Sequence, residues 1–95
     1  MVKAIITFET SDPDGFQQAL GKVGGALVGA KGFHGSEVRR GVELPNRFLL
    51  LVDWDSVAAH LDNFRASERF GQWRGLVGPY FAAPPVVEHF ADVPA

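Results

Sequence analysis

The stretch Arg47 to Phe81, RFLLLVDWDSVAAHLDNFRASERFGQWRGLVGPYF, begins with a strand that is apolar on both faces. Every second residue from Phe48 to Trp54 is apolar, and so are Leu49 and Leu51 between them. A strand in an open antiparallel sheet normally buries one face and exposes the other, which produces an alternation of apolar and polar residues. We therefore expect both faces to be covered, one by the helices of this chain and the other by a second copy of it.

The composition is that of one small globular domain, which we place at residues 1–95 with a loose tail at 92–95. The chain has 95 residues, of which 46% are hydrophobic, and this apolar content excludes a disordered chain. Because the formal net charge is only −2 and both signs are interspersed, we expect neither nucleic acid nor an anionic membrane as a partner. A domain this short buries a small share of its surface, so an oligomer interface would help to stabilise it.

The chain contains no cysteine, which excludes disulfides, thiolate metal sites and a cysteine nucleophile. The N-terminal MVKAIITFET is too short and too alternating for a signal peptide, and no apolar run reaches membrane-spanning length. We therefore expect a soluble cytoplasmic protein.

A strand and a helix are predicted in the first third of the chain. Residues 2–9 alternate as a strand does, and the pair Asp12-Pro13 is typical of a helix start, with Asp12 as the N-cap. The helix is predicted to continue to a stop at Gly32. Its apolar face consists of Phe16, Leu20, Val23, Leu27 and Ala30. The glycines along this helix lack the spacing of a phosphate-binding loop, so we assign them to close backbone packing.

Two strands, at 33–43 and 47–54, are predicted to form an antiparallel hairpin. A helical region from Asp55 to Gly78, kinked and capped again at Ser67, and a last strand at 86–91 complete the chain. The order β-α-β-β-α-β predicts a ferredoxin-like α+β fold, in which a four-stranded antiparallel sheet carries its helices on one face.

Helices on one face leave the other face of the sheet without cover. We expect Ile5, Leu49, Leu51 and Val87 to lie on this open face, where an apolar patch marks an association surface. A second sheet packed face to face at about 10 Å would bury it, and twofold dimers are the commonest oligomers. We therefore predict a homodimer that packs sheet against sheet.

Six segments of the chain match the sequence pattern of a known protein family. They are Phe33-His34-Gly35, Glu43 to Phe48, Val52 to His60, Phe64 to Ser67, Phe70 to Trp73 and Pro84 to Phe90. Together they resemble the antibiotic biosynthesis monooxygenase (ABM) superfamily over most of the chain, which implies a dimeric α+β barrel. Because this superfamily is functionally mixed, the resemblance is specific for the fold and much less so for any one reaction.

One branch of the superfamily oxidises aromatic phenols to quinones with molecular oxygen and no cofactor, in a pocket between the sheet and the helices. The resemblance places Trp54, at the end of the third strand, and Arg74, in the later helix, in that pocket. His60 stands where the branch has a Tyr, and Leu50 stands where it has an Asn. The resemblance therefore implies Trp54, His60 and Arg74 as catalytic residues, although half of the branch's residues are altered here.

Five residues are expected to contact the substrate: Leu50, Phe64, Trp73, Tyr80 and Phe81, the last two either as a lid or as hydrophobic caps. The haem-degrading branch of the superfamily has an Asn on the first strand and a proximal His after a helical Trp, and this chain has neither. We expect no haem and no other cofactor, with O2 as the co-substrate.

The position of His60 supports two interpretations. Imidazole suits proton transfer near neutral pH, so His60 would take the phenolic proton of a substrate. On an α-helix that begins at Ser56, however, His60 lies opposite Val57, Leu61 and Phe64, which is the orientation of a surface residue.

Trp54 and Arg74 also have structural alternatives. Trp54 would either stack on a flat aromatic ligand or close the core beneath the helices. Arg74 would bind oxygen atoms of a substrate or pair with a nearby surface carboxylate. We place His34 and His89 on separate strands near the sheet edges, so we expect no metal site.

The first functional hypothesis is a small, cofactor-free monooxygenase that acts on a flat, electron-rich phenol, hydroquinone or polyketide-like aromatic. The second is a non-catalytic module that binds a hydrophobic metabolite on the same dimeric barrel, and a third is an isomerase or decarboxylase. Leu50 favours binding, whereas Trp54 with His60 favours chemistry. The sequence leaves open whether the domain is an enzyme.

Overall fold

The structure, a computed structural model, describes residues 1–94 as a βαββαβ fold. The strands are β1 (Val2–Glu9), β2 (Phe33–Arg40), β3 (Arg47–Trp54) and β4 (Val86–Ala91), and the helices are α1 (Pro13–Leu20), α2 (Gly24–Leu27) and α3 (Glu68–Val77). A π-helical turn, Ala59–Phe64, precedes α3, and a 3₁₀ turn, Gly78–Tyr80, follows it. The strands form one antiparallel sheet in the order β2-β3-β1-β4. This is the predicted ferredoxin-like arrangement.

β3 lies inside the sheet, between β2 and β1, and presents apolar residues to both sides. Every second residue from Phe48 to Trp54 is at most 2% exposed. Ile6 of β1 pairs with Leu50 in the antiparallel register and so faces the same side, toward the helices. Leu49 and Leu51 point to the opposite side and are half-buried. The predicted two-sided character of β3 is therefore confirmed.

The hairpin between β2 and β3 is longer than its predicted turn. β2 ends at Arg40 instead of residue 43, because the Gly41 N–H donates to the Arg47 carbonyl (2.7 Å) and closes a loop there. A side chain at Gly41 would bring its Cβ within 2.3 Å of the Leu44 carbonyl oxygen. Glycine is therefore required for this close backbone approach.

Asp12 caps α1 as predicted, since its carboxylate accepts a hydrogen bond from the Gly15 N–H (3.1 Å). The prediction of one continuous helix as far as Gly32 is wrong: α1 ends at Leu20, and turns at residues 21–23 lead into α2. Glycines in this segment lower its helix propensity by about 1 kcal/mol each. The apolar residues at helical spacing are nevertheless buried, apart from the half-buried Ala30, because the turns keep them on the inner side.

The segment after β3 begins as predicted and then departs from an α-helix. The hydroxyl of Ser56 accepts a hydrogen bond from the Ala59 N–H (3.1 Å). The chain then widens into the π-helical turn, in which the Arg65 N–H donates to the carbonyl of His60, five residues earlier (3.0 Å). A π-helical turn inserts an extra residue into the helical cycle.

This extra residue changes which side chains face the core. Ala59, His60 and Phe64 are buried, whereas Val57 is 39% exposed and Leu61 is only half-buried. The predicted inner face of this segment is therefore wrong except at Phe64, and His60 is not a surface residue. Ser67 follows at the N-cap position of α3 as expected, but its hydroxyl donates to the Phe64 carbonyl (2.6 Å).

The open face of the sheet differs from the prediction on β4. Val87 pairs with Ile6 and so faces the helices, which corrects its assignment to the open face. Val86 and Phe90 lie there instead and are 55% and 49% exposed. The reason is that successive residues of a strand alternate, so a register shift of one residue moves every side chain to the other face. The other three residues that were predicted for the open face do lie there. They are Ile5 of β1 and Leu49 and Leu51 of β3.

The core between sheet and helices is largely aromatic. Phe16 of α1 packs edge-on against Phe8 (5.3 Å between ring centroids) and with a tilted ring against Phe48 (5.0 Å). At the other end of the core, Trp54 contacts Phe33 and Phe64. Of the predicted loose tail, residues 92–94 form no helix or strand, and Ala95 lies outside the described residues.

Candidate active site

A cavity of about 100 Å³ lies between the helix-facing side of the sheet and the helical layer. It is lined by Ile6, Leu27, Leu50, Val52, Trp54, His60, Phe64, Arg65, Trp73, Arg74, Phe81, Pro85 and Val87. The wall is mostly apolar, and its polar groups are two indoles, one imidazole and two guanidiniums. Such a concave apolar site with a few polar groups is the usual form of a small-molecule site.

His60 is the buried imidazole of this wall and is only 5% exposed. Its ring stacks on the Trp54 indole, with 5.3 Å between the centroids and 9° between the planes. The π-helical turn provides this orientation, because it rotates His60 toward the end of β3. The ring is therefore held in one plane at the edge of the cavity.

His89 of β4 completes a pair with His60 that the sequence analysis missed. His60 Nδ1 and His89 Nε2 are 2.8 Å apart, within hydrogen-bonding distance. His89 pairs with Ala4 in the sheet register and so faces the helices. As expected, His89 lies on an edge strand of the sheet, but the expectation that it is scattered from the other histidines is wrong. The correct register of β4 against β1 is the signal that would have found it.

The surroundings of His60 favour its neutral form. Burial lowers the pKa of His60 to about 4, with further lowering by the charges of His89 and Arg65. Desolvation disfavours the charged imidazolium, and neighbouring positive charges act in the same direction. At neutral pH His60 is thus uncharged and able to accept a proton or a hydrogen bond at one nitrogen.

Trp54 and Trp73 each bury an indole N–H that has no hydrogen-bond acceptor among the described residues. Both side chains line the cavity. Leaving such a buried donor without a partner costs about 1–3 kcal/mol. Two such groups at one cavity are a feature that simple core packing does not explain.

Arg65 and Arg74 lie where the cavity opens into a second, outer hollow of about 530 Å³. Both arginines line both spaces, together with Phe81 and Pro85. The Arg65 guanidinium lies over the Phe70 ring, 5.7 Å from its centroid. The inner wall is therefore mostly apolar and the entrance is cationic.

Comparison with known proteins decides the family. The model of the antibiotic biosynthesis monooxygenase family matches residues 1–76, which is most of the chain. The chain belongs to this family. The uncharacterized protein YczJ of Bacillus subtilis (strain 168) is 31% identical over 78 residues, which are 82% of this chain and 82% of that protein.

Solved structures of antibiotic biosynthesis monooxygenases share the fold. A candidate antibiotic biosynthesis monooxygenase from Bordetella bronchiseptica is 34% identical, with a TM-score of 0.93 over 97% of this chain and 96% of that one. SnoaB, a cofactor-independent oxygenase from Streptomyces nogalater, is 14% identical, with a TM-score of 0.81 over 99% of this chain and 94% of that one. At 14% identity the likeness shows a common fold.

Most of the residues that the family resemblance singled out meet at the cavity. Those that line it are Trp54, His60, Arg74, Leu50, Phe64, Trp73 and Phe81. Tyr80 does not: its ring stacks on Phe16, with 6.0 Å between the centroids, on the far side of the aromatic core. Tyr80 therefore packs as a hydrophobic cap on the aromatic core, away from the residues that line the cavity.

Arg74 is not paired with Asp62, Glu68 or any other carboxylate within residues 1–94. His34 contacts Asp55 instead of the other two histidines. In the same part of the chain, no three of the His, Asp and Glu side chains come close enough together to hold a metal ion. None of the helices that the structure describes is long and apolar enough to cross a membrane.

Proposed function

We propose that this member of the family is a cofactor-independent monooxygenase that oxidises a small phenol or hydroquinone with O2. The observation that carries the proposal is the His60–His89 hydrogen bond at the wall of an apolar cavity. A buried imidazole that is hydrogen-bonded to a second, half-buried imidazole at the wall of an apolar cavity is suited to moving a proton out of the site.

The proposed reaction uses the electrons of the substrate itself. A phenol with a free ring C–H reacts with O2 to give a quinone and water. One oxygen atom enters the ring as a carbonyl, and the other leaves as water with the ring hydrogen and the phenolic hydrogen. The protein has to promote loss of the phenolic proton, because the phenolate gives up electrons to oxygen more readily than the phenol does.

His60 alone is a weak base for this step. With its pKa lowered to about 4, full proton transfer from a phenol of pKa about 10 would cost roughly 8 kcal/mol. The hydrogen bond to His89 reduces this cost. In our proposal His60 Nε2 takes the phenolic proton while Nδ1 passes its own proton to His89 Nε2. The positive charge then lies on His89, which is less buried and better solvated.

The two unpartnered indoles support an oxygen-bearing aromatic ligand. Trp54 and Trp73 offer flat apolar surfaces and N–H donors that lack acceptors. A phenol or quinone supplies both a ring to stack and oxygen atoms to accept these hydrogen bonds. An aliphatic ligand would leave the donors unsatisfied.

The proposed active form is a homodimer that packs through the open sheet faces. Ile5, Leu49 and Leu51 form an apolar centre on that face, extended by Val86 and Phe90 of β4. Ion pairs flank the centre, between Lys3 and Asp53 (3.4 Å) at one end of β1 and between Glu9 and Arg47 (2.7 Å) at the other. An apolar centre with a charged rim is typical of a protein interface.

The test is oxygen consumption with a panel of single-ring hydroquinones and tricyclic hydroxyanthrones, without added metal or cofactor. We expect enzyme-dependent uptake of one O2 per quinone formed, above the rate of autoxidation. The proposal fails if no compound that binds to the protein raises the rate of oxygen uptake.

A binding module is the second candidate, and Leu50 favours it. An apolar residue stands where the phenol-oxidising branch has an Asn, so one polar contact to a substrate is lost. If binding is the function, phenols will quench the fluorescence of Trp54 and Trp73 and bind stoichiometrically, with no consumption of oxygen.

A further inference from the structure

The entrance of the cavity holds two arginines that have no acceptor in the described residues. Elsewhere the arginines are engaged: Arg39, Arg40 and Arg47 pair with carboxylates, and Arg69 donates to the Val28 carbonyl. Within residues 1–94, Arg65 and Arg74 make no ion pair and no hydrogen bond through their guanidiniums. Both line the inner cavity and the outer hollow.

The charge of Arg65 acts on the interior as well as on the surface. It contributes to the lowered pKa of His60, so its field reaches the imidazole. Phe70 holds the Arg65 guanidinium over its ring and itself stacks on Trp73 (5.7 Å between centroids, 20° between planes). The cation is therefore held at the rim and next to the aromatic wall.

The size of the inner cavity limits what can enter it. A volume of about 100 Å³ is less than the roughly 150 Å³ of an apolar cavity known to accept benzene, so it admits at most one six-membered ring. Substituents on that ring must extend into the outer hollow of about 530 Å³. They will meet Arg65 and Arg74 there.

We propose that the substrate is a single-ring aromatic acid whose ring enters the inner cavity and whose carboxylate is bound by Arg65 and Arg74 at the entrance. Arginine binds carboxylates through paired N–H donors. A bound anion would also offset the positive field at His60, so substrate binding would make His60 a better proton acceptor. This inference rests on the proposed oxygenase function, because it assigns the substrate of the same site.

The test compares gentisate, a hydroquinone that carries one carboxylate, with gentisamide, its neutral amide. Binding is measured under nitrogen by quenching of tryptophan fluorescence, in the wild-type protein and in Arg65→Gln, Arg74→Gln and the double variant. We expect gentisate to bind roughly tenfold more tightly than gentisamide. Each arginine substitution should lower the affinity for gentisate roughly tenfold. Added salt should weaken the binding of gentisate alone.

Lys22→Gln is the matched control, since it removes the same charge from an exposed residue that lies outside the cavity. It should bind gentisate as the wild-type protein does. Equal affinity for the two compounds, unchanged by either arginine substitution, would overturn the inference, and so would the failure of both to bind at millimolar concentration. If a variant folds poorly, the affinities of the wild-type protein for gentisate and gentisamide still test the inference.

Oxygen uptake in the same solutions separates this inference from the proposed function. If gentisate binds through the arginines but is not oxidised, the anion site stands and the oxygenase proposal falls. If gentisamide is oxidised as fast as gentisate, and the arginine variants do not slow either reaction, the oxygenase stands and the anion site falls.

Discussion

At the scale of single residues, His60 combines two properties that oppose each other. It is buried and stacked on Trp54, which disfavours its charged form. Its Nδ1 is hydrogen-bonded to His89, which gives a proton a route toward solvent. His89 also satisfies the hydrogen-bonding requirement of the buried imidazole.

His60→Ala should abolish oxygen uptake and leave the folded protein and its oligomeric state intact. The physical reason is that the substitution removes the proposed proton acceptor from the cavity wall, while the sheet faces are untouched. Turnover is measured by an oxygen electrode and the oligomeric state by sedimentation. Unchanged turnover in His60→Ala would end the assignment of His60 as a catalytic residue.

His89→Gln should lower turnover roughly 10- to 100-fold with a smaller change in substrate affinity, because general acid–base contributions have this size or larger. Gln can still hydrogen-bond to His60 Nδ1 but cannot accept its proton. Steady-state oxygen uptake gives kcat and KM separately for the wild-type protein and for His89→Gln. If kcat is retained in His89→Gln, His89 only orients the ring of His60.

The pKa of His60 also predicts how stability depends on pH. The folded pKa of about 4 lies below the ordinary value of 6.5, so between these values the unfolded chain binds a proton that the folded chain does not. The free energy of unfolding should therefore fall as the pH drops from 6.5 to 4, by up to about 3 kcal/mol from this group. Because the unfolded His60 is half-protonated at its ordinary pKa of 6.5, its contribution to the pH dependence disappears about one pH unit above that value.

Urea unfolding at pH 7 and pH 4.5 measures this effect. In His60→Gln the loss of stability between the two pH values should be smaller than in the wild-type protein, since the other titrating groups are common to both. An equal loss in the two proteins would show that His60 is charged, or solvated, in the folded state.

At the scale of elements, the π-helical turn positions the site, and Gly32 makes room for it. Gly32 has φ +87° and lies directly before β2. A Cβ at this position would approach the Cβ of Ala59 to 2.6 Å. Glycine is thus required both by the backbone conformation and by the close approach of the turn that carries His60.

Gly32→Ala should destabilise the protein by about 2–4 kcal/mol, because it combines an unfavourable positive φ with a steric overlap at Ala59. Gly75→Ala is the matched control: Gly75 lies within α3, and its added Cβ meets nothing within 4 Å. This control should be neutral or stabilise by up to about 1 kcal/mol. Denaturant unfolding measures the stability of both variants. If Gly32→Ala is as stable as Gly75→Ala, the role assigned to Gly32 is refuted.

At the scale of the whole molecule, the open sheet face is an apolar surface that residues 1–94 leave without full cover. Its apolar centre lies opposite the helices, so the strands of β1 and β3 are covered by this chain on one side only. Packing two such faces together would bury Leu49 and Leu51 and would complete the barrel that the family resemblance implies.

Leu51→Glu should shift the protein from dimer to monomer, because it would place a carboxylate in the apolar centre of the interface without a partner. Val28→Glu is the control: Val28 is 65% exposed and follows α2 in the helical layer. It should leave the dimer intact. Sedimentation at micromolar concentration measures both, and a wild-type monomer would refute the sheet-to-sheet dimer.

Periodicity and local hydrogen bonding are encoded in neighbouring residues, and these features followed from the sequence alone. The two apolar faces of β3, the caps at Asp12 and Ser56, the start of β4 at Val86 and the ferredoxin-like order of elements are all present in the structure. The grouping of Trp54, Leu50 and Phe64 around one space also followed, because the family resemblance places them between sheet and helices.

Only the tertiary structure decided which way the side chains of β4 and of His60 point. Whether Val87 or Val86 faces the helices depends on the register of β4 against β1, and the same register brings His89 to His60. The inward turn of His60 depends on one extra residue in a helical turn, which packing against Trp54 and Gly32 selects. Local sequence sets which faces a strand or a helix has, whereas register and helical pitch are settled by contacts between residues far apart in the chain.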